Sequence, residues 1–295
     1  MEYLEFTESI RKSVSDQLGN DKKVTIREVL KNNGIRLKGL LITSKDHSAS
    51  PTIYLERFYD RYLHGDPMEE ITDTIVSIYS ENTIGDESIP DLFDDYEKAR
   101  KDLYLKAVNK EKNGELLSDV PHIDFLDLSL IPYVLIRQIR KMKASVIIHN
   151  DMVDHWKVTA KQILADAMKN MIDHYGYELM PMQEMLKQML QEEDIKTLGK
   201  KENAMYVLLS PGMQYCAALM AVDSVMKNVA EQLHSDIVIL PSSIHELIVI
   251  PSSTDRDWKQ LDELVKSVNE TSVNDEDILS DHSYLYKRGI GYVTA

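Results

Sequence analysis

The most reactive vocabulary of this 295-residue chain is gathered at Pro241-Ser242-Ser243-Ile244-His245-Glu246, between two strongly apolar runs. A serine hydroxyl can act as a nucleophile, an imidazole titrates near neutrality and can take its proton, and a carboxylate can orient the imidazole. Ser242, Ser243, His245 and Glu246 are therefore the candidate catalytic residues of a hydrolase, with His245 as base and Glu246 as its orienter. Spacing argues against it. In extended chain Ser243 and His245 point the same way about 7 Å apart, beyond a direct hydrogen bond. Catalysis would need a turn that folds Ser242 or Ser243 onto His245, plus oxyanion donors. The plain alternative is that serine and proline shape the turn while His245 and Glu246 satisfy nearby backbone groups.

A second concentration runs from His149 through Asp151 and Asp154 to His155, two imidazoles and two carboxylates that could ligate zinc, manganese or iron. If Asp151 starts a helix, His155 lies one turn on along the same face. Aspartate at a helix start is also the ordinary capping choice. The order Asp-His recurs at Asp46-His47, Asp173-His174 and Asp281-His282, which reads as composition. Gly289-Ile290-Gly291 lacks the third glycine and following helix of a dinucleotide fingerprint, no phosphate-loop Gly-Lys-Ser/Thr occurs, and no cofactor is expected. The single cysteine, Cys216, is flanked by alanines and reads as a buried, inert thiol.

Composition narrows the classes further. Lys and Arg total 34 against 49 Asp and Glu, a net charge of −15, which disfavours binding duplex nucleic acid through its phosphates. The basic run Arg137-Gln138-Ile139-Arg140-Lys141-Met142-Lys143 reads as a solvated hairpin tip. One cysteine excludes disulfide scaffolds, zinc fingers and iron–sulfur centres. The N-terminus has neither the basic nor the apolar region of a signal peptide. The longest apolar stretch, 128–136, is broken by Ser129 and Pro132, so neither membrane nor secretion is expected and the cytoplasm is the default.

The elements that must hold these residues follow from periodicity. Tyr3, Phe6, Ile10, Val14 and Leu18 predict a helix over 2–18, stopped by Gly19. Runs 24–30 and 35–42 predict a hairpin turning at Asn32-Asn33-Gly34. Tyr54, Leu55, Phe58, Tyr59 and Tyr62 predict one helical face, and Ile71, Ile75, Ile78 and Tyr79 another. Residues 81–90 lack any period and mark an internal boundary. Beyond it come a strand at 103–108, a strand at 126–139 in which Pro132 implies an edge or bulge, and its partner at 144–149. Thr159 is the predicted N-cap of a helix with the face Ile163, Leu164, Ala167, Met168, Met171, Ile172 and Tyr175. Another helix carries Met182, Met185, Leu186, Met189 and Leu190. This methionine-rich face is ordinary core at that spacing, with an adaptable groove as the alternative. A strand at 205–209, a helix over 215–233, paired strands at 237–240 and 247–250, and a helix at 258–268 complete the list. The mixture of hairpins with packed helices is α+β. It divides into a module at 1–82 and an α+β domain at 91–295, two parts that can pack as one unit.

Several strings together resemble a known family. They are Lys31-Asn32-Asn33-Gly34-Ile35, Pro51-Thr52-Ile53-Tyr54-Leu55, Val120-Pro121-His122 with Phe125-Leu126-Asp127-Leu128, Tyr206-Val207-Leu208, and Ile239-Leu240-Pro241-Ser242-Ser243-Ile244-His245-Glu246. The chain resembles, over about residues 20–260, a family common in anaerobic gut bacteria and catalogued as a domain of unknown function, five-six-eight-eight. The resemblance implies a bacterial origin and a shared fold, and no activity. Relatives are expected to carry Thr-Asn and Gly-Ala-Ala after the strand near Leu208, where this chain has Leu209-Ser210 and Cys216-Ala217-Ala218.

The leading expectation is a cytoplasmic bacterial protein that binds or regulates a protein or small-molecule partner without catalysis. The alternatives are the hydrolase centred on the 241–246 turn and an acidic inhibitor mimicking nucleic acid, which would need the acids of 86–97 and 255–281 to line one face.

Overall fold

The computed structural model describes residues 1–44, 51–82, 93–139, 142–189, 205–211, 214–241, 243–252 and 258–293. The backbone divides into two compact units, Met1–Ala99 with Leu135–Val146, and Arg100–Val134 with Ile147–Ala295.

In the first unit α1 (Tyr3–Leu18) buries Phe6, Ile10 and Val14 on one stripe and ends at Gly19, whose φ of 78° suits glycine. Strands β1 (Lys22–Leu30) and β2 (Arg36–Ser44) form the expected hairpin, with Val24 opposite Ile42 and Ile26 opposite Leu40. Its turn, Asn32–Gly34, needs left-handed backbone at Asn33 (φ 61°) and Gly34 (φ 73°), the two residue types that tolerate it. Residues 54 and 55, assigned above to a helix, instead lie at β3 (Ile53–Tyr54), which pairs with β2, and at the cap before α2 (Glu56–Leu63). β3 crosses β2 at Gly39, where a Cβ would stand 2.5 Å from the Thr52 methyl. With α3 (Met68–Asn82) these elements enclose a core of Phe6, Ile10, Leu40, Ile42, Phe58, Ile71 and Ile75. Helix α4 (Tyr96–Ala99) closes the segment.

The second unit opens with β4 (Leu103–Asn109), α5 (Gly114–Leu117), β5 (Ile123–Phe125) and the first part of β6 (Leu128–Ile139); the end of β6 and nearly all of β7 (Met142–Ile147) fall in the first unit. Pro132 is not at an edge: β6 lies between β4 and β5, and Pro132 faces Leu105 of β4. On its other side β5 ends opposite Leu130, and the Pro132 carbonyl accepts from the Ile148 N–H at 3.0 Å. A residue's nitrogen and carbonyl share one side of an antiparallel strand, so the missing donor falls in the gap after β5, where no ladder bond requires it.

Helix α6 (Asn150–Trp156) leads to α7 (Ala160–Asp173), capped as expected by Thr159, whose Oγ1 accepts from the Gln162 N–H at 3.2 Å. Helix α7 buries Ile163, Leu164, Ala167 and Met171 and packs on β4. Ile172, assigned to that face, is exposed because it lies about half a turn round the helix from Ile163. Then come β8 (Glu178–Pro181), α8 (Met182–Met189) with Met182, Met185 and Leu186 half-buried, and β9 (Tyr206–Leu209). Leu190 lies outside the described residues.

The helix expected over 215–233 is interrupted. Residues Cys216–Ala221 form a 3₁₀ segment, Val222 is extended, and only then does α9 (Asp223–Gln232) begin. Cys216 to Met220 are all buried, so this run is an apolar plug against β4, β9 and β11 rather than a one-sided amphipathic helix. Strands β10 (Ile237–Leu240) and β11 (Leu247–Pro251), helix α10 (Trp258–Ser272), and strands β12 (Tyr284–Lys287) and β13 (Gly291–Val293) complete the unit. The six-stranded sheet runs β13-β12-β10-β11-β9-β8, antiparallel throughout. Every residue of β10 is buried, so the middle of the sheet is covered on both faces; Val238 and Leu240 pack with Ile250 and with Val265 of α10. The fold is α+β. Among the described residues no helix is long and apolar enough to cross a membrane.

Candidate functional site

The 241–246 turn joins the two central strands and is held from outside by the segment 274–280. The Ile244 N–H donates to the Asp277 carbonyl at 2.9 Å, the Ser280 N–H donates to the Pro241 carbonyl at 3.1 Å, and Ser243 bridges to Ile278. That strap is anchored in turn: Ser280 Oγ lies 3.3 Å from Asp127 Oδ2 and 2.9 Å from the Tyr284 hydroxyl oxygen, and the Tyr284 hydroxyl donates to Asp127. Asn269, buried in α10, donates to the Ser280 carbonyl at 3.0 Å.

Within the turn, Ser242 lies outside the described residues. Ser243 is buried, and its Oγ accepts from the backbone N–H of His245 at 3.0 Å, a local bond that shapes the turn. The imidazole has a carboxylate partner, and it is not Glu246. His245 Nε2 lies 3.2 Å from Asp277 Oδ1, with the histidine side chain 43% exposed and the aspartate 22%. The expected orienter is displaced because, next to it in sequence, Glu246 turns inward at the start of β11. Burial pushes its carboxyl above the usual carboxylate range, with a Ser243 hydrogen bond and His245 opposing and Asp277 reinforcing. Asp277 moves the other way: the His245 hydrogen bond holds it below the usual range, against its burial and with help from Asn274, whose Nδ2 is 3.1 Å from Oδ2.

One face of His245 is occupied by an aromatic ring. Tyr215 stacks on it with centroids 5.5 Å apart and planes at 19°. Tyr215 holds a left-handed backbone, φ 61°, unusual for a bulky residue. Its position is fixed from behind, where the hydroxyls of Tyr133 and Tyr175 both donate to the Gln214 carbonyl and the Tyr133 ring meets Tyr215 edge-on at 5.1 Å. The Lys106 ammonium of β4, 7% exposed, lies 4.5 Å from the Tyr215 centroid, an attraction between cation and ring. The adjacent Cys216 thiol is buried, bonded to the Leu208 carbonyl at 3.6 Å, and pushed up to about 12 by that burial with Glu246 adding to it, so little of it is thiolate at neutral pH.

The site is thus Lys106, Tyr215, His245, Glu246 and Asp277, all in the second unit. Sequence reasoning finds His245 and Glu246. It misses Lys106, Tyr215 and Asp277, which arrive from β4, the link before the 3₁₀ segment and the strap, and no local spacing announces them.

The His149 group is not gathered in the same way. His149 stands at the N-terminal flank of α6 without a side-chain capping bond and puts its Nδ1 2.8 Å from Asp119 Oδ2, while Asp151 Oδ1 accepts the Met152 N–H at 2.7 Å. Asp154 and His155 continue the same short helix. Among the described residues no three or more His, Cys, Asp or Glu side chains come together where they could hold a metal ion. Gly289 and Gly291 take φ of 73° and 104° at the turn between β12 and β13, the role of turn glycines.

A family model described as a family of unknown function (DUF5688) matches residues 3–288. No match is found among curated proteins or among solved structures.

Proposed function

We propose that this chain, which belongs to that family of unknown function, acts by binding a protein or small-molecule partner and not by turnover, in a reducing bacterial cytoplasm. The observation that carries the reading is the presentation of His245: nearly half exposed, with one ring nitrogen on Asp277 and one face on Tyr215. An imidazole fixed in orientation at the surface offers a partner a directed hydrogen-bonding group at little entropic cost. The described serine beside it is buried and committed to its own turn. The test is an NMR screen of a small-molecule and peptide set against the ¹³C,¹⁵N-labelled chain. Perturbations centred on Tyr215, His245 and Asp277, lost in His245→Ala, are expected; perturbations that map elsewhere would overturn the reading. His245→Ala should itself shift stability by only about 1 kcal/mol, since it removes one half-exposed hydrogen bond.

A hydrolase is the second reading, favoured by one observation. The His245–Asp277 pair at 3.2 Å supplies a base and its orienter in the turn that carries Ser243. A fluorophosphonate probe and an ester and amide panel separate the two. Binding without catalysis gives no labelling; labelling lost in Ser242→Ala or Ser243→Ala, with the fold intact, establishes the hydrolase.

A further inference from the structure

We infer that the His245–Asp277 pair is a proton-operated latch, which holds the 274–280 strap closed over the 241–246 turn when His245 is charged and loosens it when His245 is neutral. The inference concerns regulation of the face proposed above for binding, yet it rests on the geometry of the latch and its test needs no ligand.

Three features carry it. First, among the described residues strap and turn are joined by the backbone bonds Ile244 to Asp277 and Ser280 to Pro241, which do not titrate, and by the side-chain bond from His245 to Asp277, which does. The backbone bonds set the geometry, and the side-chain bond decides how firmly it is kept. Secondly, a second proton on the imidazole turns that contact into a charge-assisted hydrogen bond and places a cation on the face of Tyr215. Both effects favour the closed arrangement. Thirdly, the charged groups of the elements meeting here are Asp277 on the strap, which also carries Asp275 and Glu276, Glu246 on the turn, and Lys106 of β4 over the Tyr215 ring. The Cys216 thiol, raised by its burial, stays protonated at neutral pH. Asp277 is already ionised there, since its carboxyl lies below the usual range. The proton that works the latch is therefore the one on His245. When it leaves, the ring keeps only a neutral hydrogen bond to Asp277, and the side-chain tie between strap and turn is weakened.

The test is amide hydrogen exchange of the full chain from pH 5 to 8, corrected for intrinsic exchange, with the ¹⁵N shifts of the His245 ring recorded in the same samples. The Ile244 and Ser280 amides report the strap directly. Their protection is expected to fall by about fivefold as the ring loses its proton, the difference between a charge-assisted and a neutral hydrogen bond. In Asp277→Asn the step should vanish with the fold retained, and His245→Gln should show the loosened value at every pH. Protection that stays flat through the titration, or a step of the same size in Asp277→Asn, would overturn the latch. Either result leaves the binding reading standing, because that depends on where partners perturb the surface.

Discussion

Truncating Ile239 to alanine tests whether the centre of the six-stranded sheet carries the stability of the second unit. Ile239 is fully buried, paired with Val249 of β11 on one side and Tyr284 of β12 on the other. The change removes three carbons, about 2.4 kcal/mol of transfer free energy at roughly 0.8 kcal/mol per buried methylene. A residual cavity adds to this, because strands bonded on both sides cannot close the gap, for an expected total of about 3–4 kcal/mol. Both tryptophans, Trp156 and Trp258, fall in the second unit, so urea unfolding followed by tryptophan fluorescence reads that unit selectively. With a slope of about 2–3 kcal/mol per molar, the midpoint should drop by about 1–2 M urea. The neighbouring Val238 faces the opposite side of the sheet and is also buried, so Val238→Ala should cost about 1.5–3 kcal/mol. A midpoint that moves for one substitution and not for the other would refute the sheet buried on both faces.

Gly39→Ala should destabilise the first unit by about 1–3 kcal/mol, since its Cβ would sit 2.5 Å from Thr52 and 3.1 Å from Val29; far-UV circular dichroism melts would show the loss and tryptophan fluorescence would not. Glu246 gives a signed pH dependence. Its folded carboxyl is raised by burial, so the folded state holds its proton more tightly, and stability is greatest below the ordinary glutamate range and falls as pH rises through the raised value. Glu246→Gln should therefore be more stable than the parent at neutral pH and lose that advantage by about pH 4; an advantage independent of pH would contradict the assignment. Asp277, shifted the opposite way, keeps its contribution until pH falls below the ordinary aspartate range. Finally, the net charge of −15 predicts no measurable binding to duplex DNA at physiological salt by fluorescence anisotropy. Tight binding that weakens steeply with salt would instead show that Arg137, Arg140, Lys141 and Lys143 form a basic patch.

What was legible in the sequence was local or periodic. The hairpin at Asn33-Gly34, the Thr159 cap and the pairing of β10 with β11 each depend on residues within a few positions of one another, or on unbroken β-branched runs. The 3₁₀ segment escaped because Cys216 to Met220 are buried on all sides, and a run without a polar face gives periodicity nothing to register. Of the two readings of Pro132, the edge fails because the rule confining proline to edges concerns one hydrogen bond, and the gap beyond β5 supplies that exemption inside a sheet. At the candidate site the turn itself was visible and its chemistry was not. His245 takes its partner from Asp277, 32 positions away, and its aromatic bed from Tyr215, so only the fold could choose Asp277 over the adjacent Glu246.

The division of the chain at three points, after Ala99, Val134 and Val146, bears on synthesis. A protein emerging from the ribosome completes its folding units in the order in which their last residues appear, and an N-terminal unit usually finishes first. Here the first unit waits for Leu135–Val146, and by then β4, β5 and β6 are already outside. At ~5–20 residues per second the delay past Ala99 is roughly 2–10 s, long compared with helix or hairpin formation. Over that interval the helices of the first unit must coexist, incomplete, with strands that belong to the second. Nascent chains arrested at residues 99 and 146 would therefore differ sharply in protease resistance of the N-terminal segment, and that difference is set by how the chain is threaded rather than by any single contact.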